Sequence, residues 1–459
     1  MPGKTPLPGR PSRRFSRELG RRIRPRLVLA AAGLASLAPA ALYAQPAPTE
    51  IHGVIQGKSL RRVPLAVPQV AGGAGGLAAI ASEIHRVLVE DLTYSGYFEI
   101  VDPSRFDGFT APAPESPDLK PWRSIGAEAV LSTKVIPQGK QIALEGRLFD
   151  AASAEMVLGK RYAGEADLVR RVAHRLADDV IRHFTGQPGV SLSRIAFVSQ
   201  HQGGKELYVM DYDGARVRRL TTTGTINLSP AWSPDGTRLA FLSYRQKFPA
   251  IFILETDGSI TRLPVAGGDL NSAPDWSPDG TRLAYSSTRD GNCEIYLMEG
   301  VNAGGGARRR ERRLTEDRSI DSSPTWSPTG REIAFTSDRS GSPQIYVMDA
   351  EGGNVRRLTY EGRRNDSPAW SPKGDRIAYV SRTEGKFSLM VLDLESQRAT
   401  PLLSGPFNCE DPRWSFDGKH LTFASDKEGS YDIYAIDLDG ANLRRLTRGA
   451  PSFTPDWSR

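Results

Sequence analysis

The sequence predicts an α/β N-terminal domain followed by an all-β six-bladed β-propeller, with a basic leader ahead of both. Three observations carry this reading. A strand-like motif recurs as "IAFVS" from Ile195, "LAFLS" from Leu239, "LAYSS" from Leu283, "IAFTS" from Ile333, "IAYVS" from Ile377 and "LTFAS" from Leu421, at spacings of 44, 44, 50, 44 and 44 residues. Trp232, Trp276, Trp326, Trp370, Trp414 and Trp457 keep nearly the same step, and a period of this size marks an array of repeated supersecondary units. Ahead of residue 193 the period is absent, and helix-like and strand-like stretches are mixed.

The leader comes first. Residues 1–44 hold nine Lys and Arg and a single acid, Glu18, so this stretch carries +8 of a net +7 and leaves the remainder near −1. The high isoelectric point is thus confined to the leader, and no nucleic-acid partner is expected. An apolar run, "LVLAAAGLASLA" (Leu27 to Ala38), follows the basic residues and gives way to "PAALYAQPAP". This is the layout of a secretory signal peptide, with cleavage expected after Ala44 and an apolar run too short to cross a bilayer. The mature chain is expected to have no membrane span. Its cysteines are Cys293 and Cys409, too few for a disulfide framework and placed in blades three apart.

Residues 45–188 read as the α/β domain. "IHGVI" and "RVPLAVP" read as strands, and "LAAIASEIHRVLVEDLTYSG" as a helix, with Ile80, Ile84, Val87 and Leu88 on one face. "YFEIV" is a strand before a Pro-rich loop, "AVLSTKVI" and "QIALEGRLF" pair as a hairpin, and "EADLVRRVAHRLADDVIRHFTG" is a second amphipathic helix. A short linker, Gln187 to Leu192, leads into the propeller at 189–459.

Each propeller unit reads as four short strands. Strand A ends in the tryptophan, B is "LAFxS", C is "IYVMD" and D is "RRLT". Ser-Pro-Asp-Gly after the tryptophan sets a type I turn, with Pro pre-fixing φ at the second position. Strands such as "IFIL" and "IYVM" are apolar at successive positions, which calls for burial on both faces, as between neighbouring blades. The repeats start at a strand B (Ile195) with no strand A before it and finish at a strand A (Trp457) with no strand B after it. The two fragments are expected to complete one blade and close the ring. Two departures stand out: "VNAGGGARRRERR" (Val301 to Arg313) lengthens one C–D turn, expected to be a solvated loop, and Phe416 replaces the turn proline in "WSFDG". The paired arginines of "RRLT" at Arg218, Arg312, Arg356 and Arg444 are expected to block edge-to-edge pairing.

Signals of catalysis are missing from the sequence. It has no G-x-S-x-G elbow, no H-E-x-x-H, no Walker or dinucleotide fingerprint, and its histidines form no metal-ligand spacing. His85, His174 and His183 fall in helices and are expected at the surface or at caps. No metal or cofactor is expected.

Taken in order, the leader, an α/β domain with "EDLTYSGYFEIVD", "GAEAVLSTKV" and "RLFDA", a helix ending in "FTGQPGVSLSRIAFVS", and six "WSPDG" blades resemble the TolB family, the periplasmic propellers of the Tol–Pal system of Gram-negative envelopes. The similarity spans essentially the whole mature chain. The domain order is more specific than the repeat, which also occurs in serine peptidases and other propellers. The resemblance implies a periplasmic, monomeric protein-binding scaffold rather than an enzyme. It would bind a Pal-like peptidoglycan-associated lipoprotein through the propeller and communicate with a TolA-like inner-membrane protein. The family's N-terminal segment corresponds here to Gln45–Gly57, with Glu50, Ile51, His52, Val54 and Ile55. Support of outer-membrane integrity and of invagination at cell division would follow. On the residues alone, a propeller-containing periplasmic hydrolase or a sugar- or peptide-binding propeller stays open.

Repeat geometry supplies candidate contact residues. If the A–B turns define a lower face, the D–A loops lie on the upper face beside the channel. Three residues before each strand-A proline stand Asn227, Asn271, Asp321, Asn365, Cys409 and Ser452, with Asp366, Glu410 and Asp411 nearby. They are expected to form an exposed polar ring for a partner.

Overall fold

The computed structural model describes residues 50–51, 61–73, 75–112, 117–139, 141–165, 168–246, 248–265, 270–301, 309–383 and 385–459. The leader, the "IHGVI" segment beyond Ile51 with His52, Val54 and Ile55, and most of the Gly- and Arg-rich turn lie outside the described residues.

A short strand, β1 (Glu50–Ile51), precedes the mixed sheet of the α/β part. That sheet runs in the order β3-β2-β4-β5-β6, from β2 (Val63–Ala66), β3 (Phe98–Ile100), β4 (Ala129–Gln138), β5 (Gln141–Asp150) and β6 (Met156–Glu165). β2 runs parallel to both its neighbours, while β4, β5 and β6 form an antiparallel meander. Helices α1 (Ala78–Tyr94) and α3 (Val169–Thr185) share a core with the sheet: Ile84, Val87 and Leu88 from α1 and Leu176, Ala177 and Val180 from α3 meet Leu131, Leu144 and Leu148. Apolar positions three and four apart put these side chains on one helix face. Gly186, at φ +71°, ends α3 in the left-handed conformation that glycine adopts without strain, its N–H donating to Arg182 O at 2.8 Å. A five-residue helix, α2 (Lys120–Ser124), buries Trp122 with Phe106, Val130 and Phe149 in a second cluster. The sequence does not announce β6, because this edge strand buries little on either face and so lacks an apolar rhythm.

Six four-stranded antiparallel units follow, each ordered A-B-C-D. Blade 1 joins strand A, Ser452–Trp457, to strand B, Arg194–His201, with Ser452 opposite Ser199 and Trp457 opposite Ile195. The expected closure is therefore made, and side chains reinforce it: Trp457 Nε1 donates to Ser193 Oγ at 2.7 Å and Arg194 N–H to Ser458 Oγ at 2.9 Å. Blade 5 has a fifth strand, because β1 adds to its outer strand Arg398–Ser404, Glu50 pairing with Ser404 and Ile51 with Leu403. The turn at Phe416 forms without its proline: Gly418 N–H donates to Ser415 O at 3.0 Å, and Ser415 Oγ to Asp417 Oδ1 at 2.5 Å.

The "RRLT" motif corrects an expectation. Instead of both arginines guarding the edge, the second folds back over its own blade. Arg219 donates to Thr221 O (2.7 Å) and to Glu206 Oε1 (3.0 Å), while Thr221 Oγ1 accepts from Leu207 N–H and donates to Glu206. Blade 3 repeats this clasp with Arg313, Thr315 and Glu294, and blade 6 with Arg445, Thr447 and Asp432. In blade 4, Thr359 holds Gln344 and Arg357 holds Thr359 O. The cause is burial: Glu206, Glu294, Gln344 and Asp432 lie at or near the start of their C strands out of water, and a buried polar group must be paired. The arginines beside the long turn are likewise engaged. Arg310–Arg313 form strand D of blade 3, and Arg312 bonds Glu351 and Ala350 O of blade 4.

Candidate partner-binding face and channel

Every inner strand carries the same irregularity. In each strand A the pairing with B slips by one residue just before the proline. The extra residue is Ser229, Ala273, Ser323, Ser367, Asp411 or Thr454, each at a φ between 44° and 53°. A bulge of this kind bends its strand, and proline, which has no N–H to place in the ladder, fits beside it. The six bulges line a narrow cavity of about 90 Å³ in the upper channel, with Asp411 and Arg413 on its wall.

Toward the lower end the channel widens to about 180 Å³ inside the ring of six tryptophans. The slot before the tryptophan holds Ala231, Asp275, Thr325, Ala369, Arg413 and Asp456 in turn, and all but Ala231 line this space. Burial pushes the Asp275 carboxyl up to about 6 and the Asp456 carboxyl up to about 7, against the pull of the Arg413 guanidinium. Arg413 Nε lies 3.4 Å from Asp456, and the two carboxylates also accept the N–H groups of Trp326 (2.8 Å) and Trp232 (2.6 Å) in adjacent blades. The sequence signal was present but unused: a charge in a slot that other repeats fill with Ala or Thr.

The expected polar ring takes a different role. Asn227, Asn271, Asp321, Asn365, Cys409 and Ser452 each open a strand A, but all six are buried. The expectation that they are exposed is corrected. Asn227 Nδ2 reaches into the preceding blade, to Lys205 O (3.0 Å), Glu206 Oε2 (2.9 Å) and Thr223 Oγ1 (2.8 Å), while its Oδ1 accepts from Ser243 of its own blade. Asn365 Nδ2 does the same with Gln344 Oε1 and Glu361 O, each at 2.7 Å. Asp321 ties its backbone N–H to Cys293 O and its carboxylate to Arg339, and Ser452 N–H donates to Tyr431 O at 2.8 Å. The start of strand A meets the start of the preceding blade's strand C, so a side chain there fills the seam between blades. Both cysteines are free thiols, and burial raises the pKa of each. Of the nearby acids, Asp366 accepts from Thr336 and Arg364, Glu410 from the Tyr431 hydroxyl, and Asp411 from Ser367. These three are less buried than the ring, and burial raises the pKa of Glu410 and Asp411.

Beside exposed charged residues such as Arg318, Glu361 and Arg363, the upper face presents apolar side chains. Ile226 and Ile320, each just before a strand A, are 42% and 55% exposed, and Tyr360, in the D–A loop leading to Asn365, is 72% exposed. Tyr244 and Phe248, in the B–C loop of blade 2, are exposed on the same side. The contacts of α1 fall on the lower side instead, where Lys419 Nζ donates to Ser95 O at 3.0 Å.

Two family models match the chain, one described as the TolB amino-terminal domain over residues 53–157 and one as the TolB beta propeller domain over 181–458. The Tol-Pal system protein TolB of Geobacter sulfurreducens is 37% identical over 203 residues, which cover 44% of this chain and 46% of that protein. That of Syntrophotalea carbinolica is 40% identical over 163 residues, covering 35% of this chain and 38% of its own length. The chain thus spans less than half the length of the curated relatives it matches. The crystal structure of TolB from Acinetobacter baumannii, 26% identical, superposes with a TM-score of 0.74 over 89% of this chain and 100% of that one.

Proposed function

The chain belongs to the TolB family, and from that premise we propose that it is a periplasmic protein-binding scaffold of the Tol–Pal system. The leader at 1–44 would direct export, the α/β domain would span 45–188, and the propeller, 189–459, would bind a Pal-like lipoprotein on its upper face. The observation that carries this reading is the set of exposed apolar side chains there. Ile226, Ile320 and Tyr360 project from separate D–A loops of the propeller, each a large apolar side chain that a partner could cover. Asp366, Glu410 and Asp411 at the channel mouth would add polar contacts, and the ring from Asn227 to Ser452 would act indirectly by holding the loops in place. The N-terminal segment would communicate with a TolA-like inner-membrane protein, and its attachment to blade 5 through Glu50 and Ile51 supports this, because a two-residue pairing is easily released. The scaffold would thereby support outer-membrane integrity and cell division.

The test is capture of the soluble domain of the Pal-like lipoprotein from the same cells, measured by calorimetry. Replacing Ile320 and Tyr360 by Ser is expected to weaken binding more than tenfold, since central apolar contacts dominate an interface, while the thermal midpoint stays within a degree or so. Unchanged affinity in the folded double variant would move the site off this face.

A further inference from the structure

The joint between the helices and the propeller holds a buried ionisable cluster that partner binding does not call for. Asp91, near the end of α1, is 2% exposed, and its Oδ2 accepts from His174 Nδ1 of α3 at 2.7 Å. Its Oδ1 accepts from the hydroxyl of Tyr212 in blade 1. His174 is 1% exposed, not at the surface as its place in a helix suggested, and its Nε2 has no hydrogen-bond partner among the described residues. Around this pair stand Arg170, engaged by Glu83 and Asp213, then Asp178 on α3, and Arg444 of blade 6, whose guanidinium lies 3.8 Å from the Tyr94 ring and 5.7 Å from Tyr212. Tyr94 stacks on His420 at 4.1 Å, and His420 Nδ1 sits 2.7 Å from Asp437 with Asp417 3.6 Å from its Nε2. A cavity of about 320 Å³ reaches the joint, lined in part by Asp91, Tyr97, Lys373 and Asp417.

We propose that this joint is a pH-sensitive latch between the α/β domain and the propeller, closed while His174 is protonated and loosened when it loses its proton. The cationic imidazole neutralises Asp91. A neutral one still donates Nδ1–H but leaves a buried carboxylate uncompensated, since Arg170 is already engaged. An uncompensated buried charge is strongly unfavourable and is relieved by water, and the cavity beside Asp91 is the route for it. Opening breaks the Tyr212–Asp91 and Tyr94–His420 contacts and frays the last turn of α1, whose Ser95 N–H bonds Asp91 O, and leaves the propeller strands intact. The titration has the required sign. Burial alone lowers the pKa of His174, but the Asp91 hydrogen bond and charge, with Asp213, outweigh it and raise the value. A raised folded pKa gives stability that is full below about 6.5 and is lost as pH rises through the folded value. Asp178, raised to about 6 by burial, acts in the same direction at lower pH. Lys419, lowered to about 8 by burial, acts with opposite sign above pH 8.

Hydrogen exchange on the full chain between pH 5.5 and 8.5, corrected for intrinsic rates, tests the latch. Amides at 91–97 and 212–214 are expected to lose protection through the neutral range, by up to about tenfold per pH unit, while the B strands of blades 3 and 4 do not change. His174→Gln, neutral throughout, is expected to show low protection at the joint without the wild-type fall through the neutral range, leaving only the contributions of Asp178 and Lys419 at the two ends. Tyr212→Phe keeps the His174–Asp91 pair, and is expected to lower protection while retaining the profile's midpoint. A flat profile in the wild type, a wild-type profile in His174→Gln, or a profile abolished by Tyr212→Phe would each overturn the proposal.

Discussion

Blades 1, 3, 4 and 6 differ from blades 2 and 5 at one corner. In the first group a buried Glu, Gln or Asp at or near the start of strand C is held by the Thr of "RRLT", and in blades 1, 3 and 6 by its second Arg as well. In blades 2 and 5 the same position is Ala250 or Ser388, directly opposite a serine of strand B, and no Arg-x-Thr stands at the register of the clasp, where Arg262-Leu263-Pro264 and Pro401-Leu402-Leu403 run instead. The two unclasped blades stand opposite each other in a six-blade ring, and each has a feature of its own. Blade 5 has a seven-residue outer strand that accepts β1, and blade 2 carries the exposed Tyr244 and Phe248. A clasp ties the outer strand to the body of its blade. In blade 5, where it is absent, the outer strand accepts β1.

The sharpest way to break this contrast is to unclasp a clasped blade. Glu294→Ala leaves Arg313 and Thr315 without their shared acceptor. Removing one partner of a buried pair costs about 3–5 kcal/mol; the lower end is expected here because the Arg313 side chain is 25% exposed. Thermal unfolding should show it, and a midpoint within a degree of wild type would mean the clasp is decorative.

A second contrast concerns charge: clasp carboxylates each hold a partner, whereas Asp275 and Asp456 share the single Arg413 in the channel. A folded pKa near 7 for Asp456, above the unfolded value of about 3.8, means that the folded state holds a proton the unfolded state has released. Stability from this group therefore falls as pH rises from about 4 to 7 and is level above. Asp456→Asn should gain about 1–3 kcal/mol relative to wild type at pH 8 over pH 5, read from melts across that range. The smallest effect tests the unclasped side: Ser388→Ala is expected to change stability by about 0.5 kcal/mol or less, against about 1–2 kcal/mol for Thr221→Val in clasped blade 1. Equal losses in the two would erase the distinction.

Period and pattern made the propeller legible. The six "LAFxS" strands, the Trp step and the complementary ends specify blade number, strand order and closure, because these depend on local alternation and turn chemistry. The α/β domain was legible where helices and strands bury an apolar face, and illegible at β6, which does not. Side-chain destinations were harder to read. Asn227 and Asn365 look like surface polar residues in one dimension and prove to be seam residues, since sequence does not say that strand A begins against the neighbouring blade's strand C. His174 was misplaced for a related reason: its partner, Asp91, is 83 positions away on the other helix.

The closing blade also sets an order of events in folding. Arg194 and Ser458, which bond across it, are 264 positions apart, and contacts of such long sequence separation form late because the loop between them must be ordered first. Until Ser452–Trp457 arrives, strand B of blade 1 is an unpaired edge with its apolar side chains uncovered, the kind of edge that recruits other chains. A nascent or truncated chain lacking those last residues therefore has five completed blades and one adhesive margin.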